Sequence, residues 1–421
     1  MKILLLGGGG REHAFALKLA HDPGCSQLFI APGNAGTAEC GANVAISVTD
    51  FQGIKNFVLH AGIDMVIVGP EEPLVRGIVD FFQNDPAIRD VIVIGPSAAG
   101  AQLEGSKAFA KKFMQRHGIP TAPYREVTTA ENGVAFLKTL QPPYVLKADG
   151  LAAGKGVLIL DDLAEATAAL ETLLAGQFGD ASRRVVIEAF LSGIEFSVFA
   201  LTDGKTYKIL PEAKDYKRVG EGDTGLNTGG MGAVSPVPFV TPALWKKVED
   251  RIIRPTVAGL ASENIDYKGF VFFGLIRVGD DPYVIEYNCR MGDPETEVVF
   301  PRLKNHLTEL FNYLATGQLA LVNIETLPDV AAAVMLTAAG YPGDYRKGDE
   351  IQISERQPGT LYLHAGTRAA DGKVLTNGGR VMALTSFGRT VAEAVERSIT
   401  AAGGVHFEGK YFRRDIGQDV S

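Results

Sequence analysis

Cysteine is scarce in this sequence, which holds three cysteines among 421 residues. Cys25, Cys40 and Cys289 are odd in number and lack the spacing of a metal site, which argues against a disulfide framework and against zinc. We therefore expect reduced thiols and a cytoplasmic location. Cys289 follows an apolar strand pattern, which favours a small buried residue over a nucleophile.

Positive charge is in the minority, with 41 Lys and Arg against 49 Asp and Glu, a net charge of −8. No basic field is available for nucleic acid, so any recognition of phosphate has to be local. Long apolar runs are missing as well, because the first one is too short for a signal peptide and none approaches a membrane span. We expect a monomer that binds neither nucleic acid nor a membrane.

The first hundred residues alternate short apolar strands with helical patterns. Strands are predicted over 2–6, 28–31, 65–69 and 91–95, which is typical of a parallel, doubly wound α/β unit. Three of them end in glycine–proline turns. Ligands of such sheets bind beyond the carboxyl ends of the strands, so these turns are expected to border a crevice.

The turn after the first strand, Gly7-Gly-Gly-Gly-Arg-Glu-His13, is similar to a dinucleotide fingerprint but does not match it. Glu12 or His13 stands at the third glycine position, and the second strand ends in Pro32-Gly33 without an acidic residue. A nicotinamide-dependent oxidoreductase is therefore disfavoured. What remains is a glycine-rich turn at a helix N-terminus, which suits an anion such as a phosphate.

A second glycine-rich segment runs from Tyr144 to Val157 and predicts a strand, a small-residue loop and another strand. Lys147 and Lys155 bracket the loop. Its backbone N–H groups and these lysines are suited to closing over phosphates. It is not a P-loop, because no Gly-Lys-Ser/Thr opens a helix. The alternative is a plain hairpin with solvated lysines.

Residues 214–233 form a long polar stretch with recurring glycines. A structureless loop of this length within a compact domain is usually functional or disordered. Strand patterns on both sides favour a functional loop. A helix is predicted over 242–263, and a further helical segment over 295–316.

The most chemically informative stretch follows a strand hairpin predicted over 270–278 and 283–288. Alternate residues of a strand share a face, so Glu286 and Asn288 are expected to point the same way. A carboxylate and a carboxamide supply the oxygen ligands that Mg²⁺ prefers. A tight charged turn, Arg290-Met-Gly-Asp-Pro-Glu295, comes next. The alternative is a polar strand end without a ligand.

The last part of the chain, from about residue 328, mixes strands with one helix. Strands are predicted over 330–337, 361–365 and 381–386, and the helix over 391–402. Three loops in it, 340–345, 364–367 and 377–380, have the composition of contact loops. No internal repeat or low-complexity tract is present.

Four motifs occur in a recognisable order: Gly-Gly-Arg-Glu-His-Ala (9–14), Lys-Ala-Asp-Gly-Leu-Ala-Ala-Gly-Lys-Gly-Val (147–157), Asn-Thr-Gly-Gly-Met-Gly-Ala (227–233) and Arg-Met-Gly-Asp-Pro-Glu-Thr-Glu (290–297). Together they resemble the phosphoribosylamine–glycine ligases of the ATP-grasp superfamily, over essentially the whole chain. The last two are specific to these ligases.

The resemblance implies a multidomain α/β and α+β fold. A parallel α/β domain is expected over 1–104 and an ATP-grasp core of two α+β subdomains over 105–326, with the flap subdomain at about 120–195. A small mixed α+β domain is expected over 327–421.

The implied reaction joins glycine to 5-phosphoribosylamine with ATP and gives glycinamide ribonucleotide, ADP and phosphate through a glycyl phosphate, early in purine biosynthesis. A protein aids such a step by positioning, by neutralising charge and by excluding water. The main rival is another ATP-grasp ligase or carboxylase, which residues 227–233 and 290–297 disfavour. A non-catalytic nucleotide-binding module would not need metal ligands, phosphate lysines and a flap together.

The resemblance also implies roles for individual residues. Lys107 and Lys147 would hold ATP phosphates beneath a flap, residues 188–191 would line the adenine and Glu195 would bind ribose hydroxyls. The ATP-binding set is Lys107, Lys147, Asp149, Gly150, Gly154, Lys155, Gly156, Val157, Glu188, Phe190, Leu191 and Glu195. Substrates would contact Gly9, Gly10, Asn227, Thr228, Gly229, Gly230, Met231 and Arg290, and the catalytic set is Arg290, Asp293 and Asp215. Mg²⁺ or Mn²⁺ would bind Glu286 and Asn288. The family pattern is not followed at Ala189, Tyr216, Leu226 and Met291.

Overall fold

The protein was analysed as a computed structural model that describes residues 1–151 and 156–420. Its first part is a parallel sheet with strands β1 (Lys2–Gly7), β2 (Gln27–Pro32), β3 (Ala42–Asn43), β4 (Met65–Val68) and β5 (Ile92–Pro96). The helices around it are α1 (Gly10–Ala20), α2 (Phe51–Ala61), α3 (Glu71–Val75), α4 (Ile78–Asn84) and α5 (Ala98–Gly105). The strand order is β3-β2-β1-β4-β5. Leucines and other apolar residues of β1 and β4 are buried on both faces, as parallel strands require. The predicted α/β unit is confirmed.

A four-stranded antiparallel sheet follows, with the strand order β6-β9-β7-β8. Its strands are β6 (Tyr124–Val127), β7 (Tyr144–Ala148), β8 (Val157–Leu160) and β9 (Val185–Ala189), and the helices of this region are α6 (Lys107–Arg116), α7 (Ala130–Leu137) and α8 (Leu163–Leu174). Leu137, Leu146, Leu170 and Ile187 belong to a core of its own. The two strands predicted on either side of the small-residue loop are confirmed as β7 and β8. Its loop residues Gly154 and Lys155 lie outside the described residues.

The central part contains strands β10 (Ile194–Thr202), β11 (Tyr207–Ile209), β12 (Lys214–Asp215), β13 (Arg218–Gly220), β14 (Thr224–Asn227), β15 (Gly232–Ser235), β16 (Tyr267–Val278) and β17 (Asp281–Asn288). Its helices are α9 (Pro242–Val248), α10 (Arg254–Ser262), α11 (Thr296–Arg302) and α12 (Leu307–Ala315). The start of β16 pairs with the end of β5, and the rest of β16 pairs with β10 and β17. The N-terminal sheet and the central antiparallel sheet are therefore continuous.

Two predictions for this part are wrong in detail. The stretch 214–233 is not structureless, because it contains β12 to β14 and the start of β15. The helical segment over 295–316 is broken between α11 and α12, where Leu303 turns to an extended conformation and pairs with Thr326. The helix over 242–263 is present as α9 and α10, joined by a π-helical turn at Glu249–Ile253.

The C-terminal part has strands β18 (Val330–Thr337), β19 (Gln352–Ile353), β20 (Thr360–His364), β21 (Thr367–Ala370), β22 (Lys373–Thr376), β23 (Arg380–Gly388) and β24 (Val405–His406), with helix α13 (Val391–Gly403). Short 3₁₀ helices occur at Thr37–Glu39, Gly179–Ser182, Leu319–Leu321 and Gln418–Val420. The main sheet of the C-terminal part has the strand order β12-β15-β18-β23-β20, so β12 and β15 belong to this sheet. The expected fold class, including a small mixed C-terminal domain, is confirmed. Across the described ranges 1–151 and 156–420, no helix combines the length and the apolar character needed to cross a membrane.

The C-terminal tail, residues 411–420, packs along the segment 214–227. Lys214 Nζ lies 3.0 Å from Asp419 Oδ2, and the Tyr216 hydroxyl donates to Asp419 Oδ1 at 2.7 Å. Tyr216 is buried, whereas Leu226 at the far end of the segment is exposed. The tail therefore holds in place the stretch that carries Asp215.

Arg413 is the buried centre of this contact. Its guanidinium is 2.7 Å from Asp223 Oδ1 and 2.7 Å from Asp415 Oδ2, and it lies over the Tyr216 ring. We expect Arg413→Ala to lower the free energy of unfolding by about 2–4 kcal/mol, because the carboxylates lose their shared partner. Urea unfolding measures this, with the exposed neighbour Arg414→Ala as a control expected within about 0.5 kcal/mol of the unchanged chain. Equal losses for the two variants would contradict the assignment.

Candidate active site

Two lysines predicted to hold phosphates come together at the start of α6 and on β7. Lys147 is buried, and its Nζ lies 2.9 Å from Glu188 Oε1 and donates to the Ile285 carbonyl at 3.4 Å. Burial lowers the pKa of Lys107, the nearby Glu286 carboxylate raises it and Lys147 lowers it further. The proposed phosphate ligands and the proposed metal ligand Glu286 are thus electrostatic neighbours.

Asp149 ties the end of β7 to the beginning of α6. Its carboxylate accepts hydrogen bonds from Ser106 Oγ at 2.9 Å and from the Ala108 N–H at 2.7 Å. A carboxylate is favourable at a helix N-terminus, because it satisfies free N–H groups and faces the positive end of the dipole. The Lys107 Nζ donates to the Gly150 carbonyl at 3.3 Å. Asp149 and Gly150 thereby fix the root of the loop to the helix that carries Lys107.

The far end of the loop joins β8, where the Ala148 N–H donates to the Gly156 carbonyl at 2.8 Å. Val157 pairs with Lys147 in the β7–β8 ladder. Gly154 and Lys155 are outside the described residues, so their predicted contacts with ATP stay predictions.

Glu188 was expected to line the adenine, but its carboxylate lies between two lysines. Oε1 is 2.9 Å from Lys147 Nζ and Oε2 is 2.9 Å from Lys111 Nζ. Phe190 and Leu191 follow β9, and the Phe190 side chain is exposed. These two apolar side chains remain available to a flat ligand.

Glu195 and Asp215 are joined through a residue that the sequence analysis did not select. Lys217 Nζ lies 2.8 Å from Glu195 Oε2 and lowers the pKa of that carboxyl. Burial raises the pKa of Asp215, with Lys217 opposing the shift and Glu195 adding to it. The local signal for Lys217 was its place two residues after Asp215, between β12 and β13.

The strand β17 places Glu286 and Asn288 as predicted. Tyr287 between them is buried, and its hydroxyl lies 2.8 Å from Thr256 Oγ1, so it faces the core. A bulge opposite Gly274 leaves Ile285 without a partner in the ladder. The alternation over 286–288 is preserved, and both polar side chains share the other face.

The donor set of this face fits Mg²⁺. Glu286 and Asn288 offer two oxygen-bearing side chains, and Asn288 Oδ1 already accepts a hydrogen bond from Arg290 Nη2 at 3.2 Å. Within the described ranges, no group of three or more His, Cys, Asp and Glu side chains could hold a metal by itself. Mg²⁺ is commonly bound by one or two carboxylates together with substrate phosphates and water. The residues present suit a metal that is held largely by the phosphates of its ligand.

Arg290 is surrounded by carboxylates. Its Nη2 donates to Glu104 Oε1 at 2.7 Å, and its Nε is 3.5 Å from Glu71 Oε2. That Nε is buried and has no hydrogen-bond partner among the described residues. Burial raises the pKa of Glu104, and the Arg290 charge opposes the shift. Arg290 is therefore held in place by the carboxylates of Glu104 and Glu71.

Asp293 meets an arginine from the C-terminal part. Arg380 Nη2 is 3.0 Å from Asp293 Oδ1, and Arg380 Nη1 donates to the Gly229 carbonyl at 2.5 Å. Gly230 has a φ of +117°, and a Cβ there would collide with Pro294. The motifs 227–233 and 290–297 therefore form one surface that is bridged by Arg380. Sequence reasoning missed Arg380, although it ends the contact loop predicted over 377–380.

The residues of the 227–231 loop differ in how deeply they are buried. The Thr228 hydroxyl donates to the Lys217 carbonyl at 2.8 Å, and Met231 is fully buried. Asn227 pairs with Arg218 at the open end of the β13–β14 hairpin. Thr228 and Met231 therefore serve to shape the loop, while Asn227 and Gly229 stay partly accessible.

The glycine turn before α1 faces carboxylates of the chain itself. The Gly9 N–H donates to Glu12 Oε2 at 2.7 Å. A Cβ added at Gly10 would collide with Glu297, and one at Gly9 would lie 3.2 Å from Asp293 Oδ2. Burial, and then Asp293, raise the pKa of Glu297 well above its usual range. Only glycine lets this turn approach the charged loop so closely.

Comparisons with known proteins match one family along nearly the whole chain. The family described as phosphoribosylglycinamide synthetase matches through its N domain at residues 1–104, its ATP-grasp (A) domain at 105–296 and its C domain at 331–419. The phosphoribosylamine–glycine ligase of Pasteurella multocida (strain Pm70) is 47% identical over 99% of this chain and 97% of its own. That of Escherichia coli (strain K12) is 47% identical over 99% of this chain and 98% of its own.

Solved structures give the same answer. The crystal structure of phosphoribosylamine–glycine ligase from Thermotoga maritima has a TM-score of 0.85 at 37% identity and covers 99% of this chain and 100% of its own. The biotin carboxylase domain of Hydrogenobacter thermophilus 2-oxoglutarate carboxylase, in complex with MgADP, has a TM-score of 0.74 at 18% identity and covers 98% of this chain and 92% of its own. The second likeness shows a shared fold alone. From the first likeness, the family match and the curated relatives, the chain belongs to the phosphoribosylamine–glycine ligase family of ATP-grasp enzymes, which make glycinamide ribonucleotide in purine biosynthesis.

Proposed function

We propose that ATP, glycine and 5-phosphoribosylamine meet at the carboxyl end of β17, between the lysines of α6 and β7 and the turn that carries Arg290. The observation that supports this most is that Glu286 faces Lys107 on one side while Asn288 contacts Arg290 on the other. The nucleotide side and the acceptor side of the site are therefore two residues apart on one strand. In this proposal the three domains span 1–104, 105–326 and 327–421.

The ATP phosphates lie on Lys107 and Lys147 in this proposal, beneath the flap loop, residues 149–157. The hydrogen bonds of Asp149 fix one end of the flap loop to α6, and the β7–β8 ladder fixes the other. A loop held at both ends can close over phosphates and shield a reactive acyl phosphate from water. Glu195, held by Lys217, binds the ribose hydroxyls, and Phe190 and Leu191 contact the adenine.

Glu286 and Asn288 hold Mg²⁺ or Mn²⁺ in this proposal. When bound, the metal supplies neutralisation of phosphate charge and polarises the transferred phosphoryl group. The two side chains contribute fixed oxygens on a strand whose other face is anchored in the core by Tyr287.

Arg290, which Glu104 and Glu71 hold in place, binds and orients the glycine carboxylate. That carboxylate attacks the γ-phosphoryl group of ATP, the bond from the γ-phosphorus to its bridging oxygen breaks, and ADP leaves. The amine of 5-phosphoribosylamine then attacks the acyl carbon of glycyl phosphate, inorganic phosphate leaves and the amine loses a proton. Asp215 and Asp293 lie on the acceptor side, where Asp293 and Arg380 position loop 227–231 around the phosphoribosyl group, which also contacts Gly9 and Gly10.

The chain acts as a cytoplasmic monomer in this proposal and binds neither nucleic acid nor a membrane. A net charge of −8 supports the absence of nucleic-acid binding, because an acidic protein does not attract polyanions.

The test is ADP release measured with each substrate omitted in turn. We expect release only when ATP, glycine and 5-phosphoribosylamine are all present, and glycinamide ribonucleotide formed in equal amount to ADP. Bicarbonate in place of glycine is the matched control, because carboxylases share the fold. ADP release that depends on bicarbonate and not on glycine would contradict the proposal.

A further inference from the structure

A third lysine lies behind the two that face the phosphates. Lys111 is on α6, one turn after Lys107, and 2% of its surface is exposed. Its Nζ is 2.9 Å from Glu188 Oε2 and donates to Thr121 Oγ1 at 2.7 Å. Lys147 occupies the other oxygen of the same carboxylate at 2.9 Å. The three side chains form a buried Lys111–Glu188–Lys147 triad.

The charges of the triad decide how much positive potential reaches the ligand. Two ammonium groups and one carboxylate leave a net charge of +1. If Lys111 were neutral, Glu188 would cancel the charge of Lys147 within a buried setting, where such interactions are strong. Lys111 itself does not face the ligand in this proposal, because its Nζ contacts Glu188 and Thr121. The Thr121 hydroxyl in turn donates to the Val284 carbonyl.

We propose that Lys111 is a positioning residue for the phosphate site, which balances Glu188 so that Lys147 presents an uncompensated positive charge to ATP. The inference rests on the phosphate role proposed for Lys147. It assigns to the first helix of the ATP-grasp part a second function beyond carrying Lys107. The Glu188 carboxylate is thereby shared between Lys147, which binds the phosphates, and Lys111, which balances the charge of Glu188.

The titration behaviour of the triad agrees with this arrangement. Burial lowers the pKa of Lys111 to about 8, with Glu188 opposing the shift. Burial would raise the pKa of Glu188, but Lys147 and Lys111 outweigh it and the pKa is lowered. The lowered pKa of Glu188 is the direction expected of a carboxylate that two ammonium groups share.

Lys111→Met tests the proposal, because methionine fills much of the same space without the charge. We expect the ATP KM to rise at least about tenfold and kcat to fall as well, because the charge on Lys147 also faces the transferring phosphoryl group, while the glycine KM stays unchanged. The matched control is Lys112→Met. Lys112 is the next residue, half exposed, and pairs with Glu126 on the surface. We expect its ATP KM to stay within about twofold of the unchanged chain.

The double variant Lys111→Met/Glu188→Gln separates charge balance from packing. It removes one positive and one negative charge, so the net charge of +1 on Lys147 returns. We expect its ATP KM to be several-fold lower than that of Lys111→Met. If Lys111 only supports the fold, the two losses add and the double variant is the weaker enzyme, which overturns the proposal.

Lys147→Ala distinguishes a failure of the proposed phosphate site from a failure of the role proposed for Lys111. If it leaves the ATP KM unchanged, the proposed phosphate site is wrong. If it raises the ATP KM while Lys111→Met behaves as Lys112→Met, the phosphate site stands and the role of Lys111 is wrong. Should Lys111→Met fail to fold, the double variant decides alone. An ATP KM near that of the unchanged chain supports the proposal, and one as high as that of Lys147→Ala overturns it.

Discussion

Lys147→Ala is expected to lower kcat/KM for ATP by roughly 10²–10³-fold, because a preorganised charge in a closed site stabilises the transferring phosphoryl group more than the ground state. The measurement is initial-rate ADP release over a range of ATP concentrations with glycine and 5-phosphoribosylamine saturating. Lys205→Ala, on an exposed turn after β10, serves as the control and is expected to leave the rate unchanged. Wild-type rates for Lys147→Ala at subsaturating ATP would mean that this lysine does not face the nucleotide.

The same variant is expected to remain folded. Removing one partner of a buried ion pair usually costs about 3–5 kcal/mol, since the other charge is left alone. Here Glu188 keeps Lys111 at 2.9 Å, so its carboxylate stays paired. We therefore expect a smaller loss in the free energy of unfolding than for an isolated pair, and urea unfolding of Lys147→Ala checks it. A loss of catalysis would then reflect the site and not the fold.

The N-terminal sheet was predictable because its signals are local. The strands β1, β2, β4 and β5 begin and end within one or two residues of the predicted positions. Each is a short apolar run bounded by glycine or proline, and helical periodicity fills the intervals between them. A parallel sheet covered on both faces is the arrangement that buries such runs.

The segment from β12 to β15 was not predictable in this way. Its strands are two to four residues long and too short for any periodicity. What orders them is remote in sequence: β15 pairs with β18, and Tyr216 bonds to Asp419. The break between α11 and α12 has the same kind of cause, because Leu303 pairs with Thr326. Non-local pairing overrides local propensity at both places.

The residues of the candidate site likewise fall into those that a local pattern predicts and those that depend on remote contacts. Glu286 and Asn288 could be selected because strand alternation is a two-residue rule, and β17 obeys it despite the bulge at Ile285. Arg380 and Lys111 could not be selected, because their function depends on which distant carboxylate each one meets. A sequence pattern shows the groups that touch a ligand more readily than the charges that balance them.

Glu286→Gln is expected to raise the Mg²⁺ concentration needed for half-maximal activity by about tenfold or more, because the substitution keeps the shape and removes a formal charge from the cation's ligands. Asn288→Asp adds a charge at the next position of the same face. We expect it to lower that concentration and to reduce kcat, because product that is held through the metal leaves more slowly. A Mg²⁺ titration of glycine-dependent ADP release measures both effects.

Tyr287→Phe is the matched control, since its side chain lies on the opposite face of the same strand. Losing the hydroxyl contact with Thr256 is expected to reduce the free energy of unfolding by about 1 kcal/mol. The Mg²⁺ midpoint is expected to stay the same, because neither metal ligand moves. If Glu286→Gln shows the midpoint of the unchanged chain, the metal is not held by this strand. A shift shared equally by Glu286→Gln and Tyr287→Phe would instead trace the effect to the strand's packing, because only one of the two side chains faces the lysines of the phosphate site.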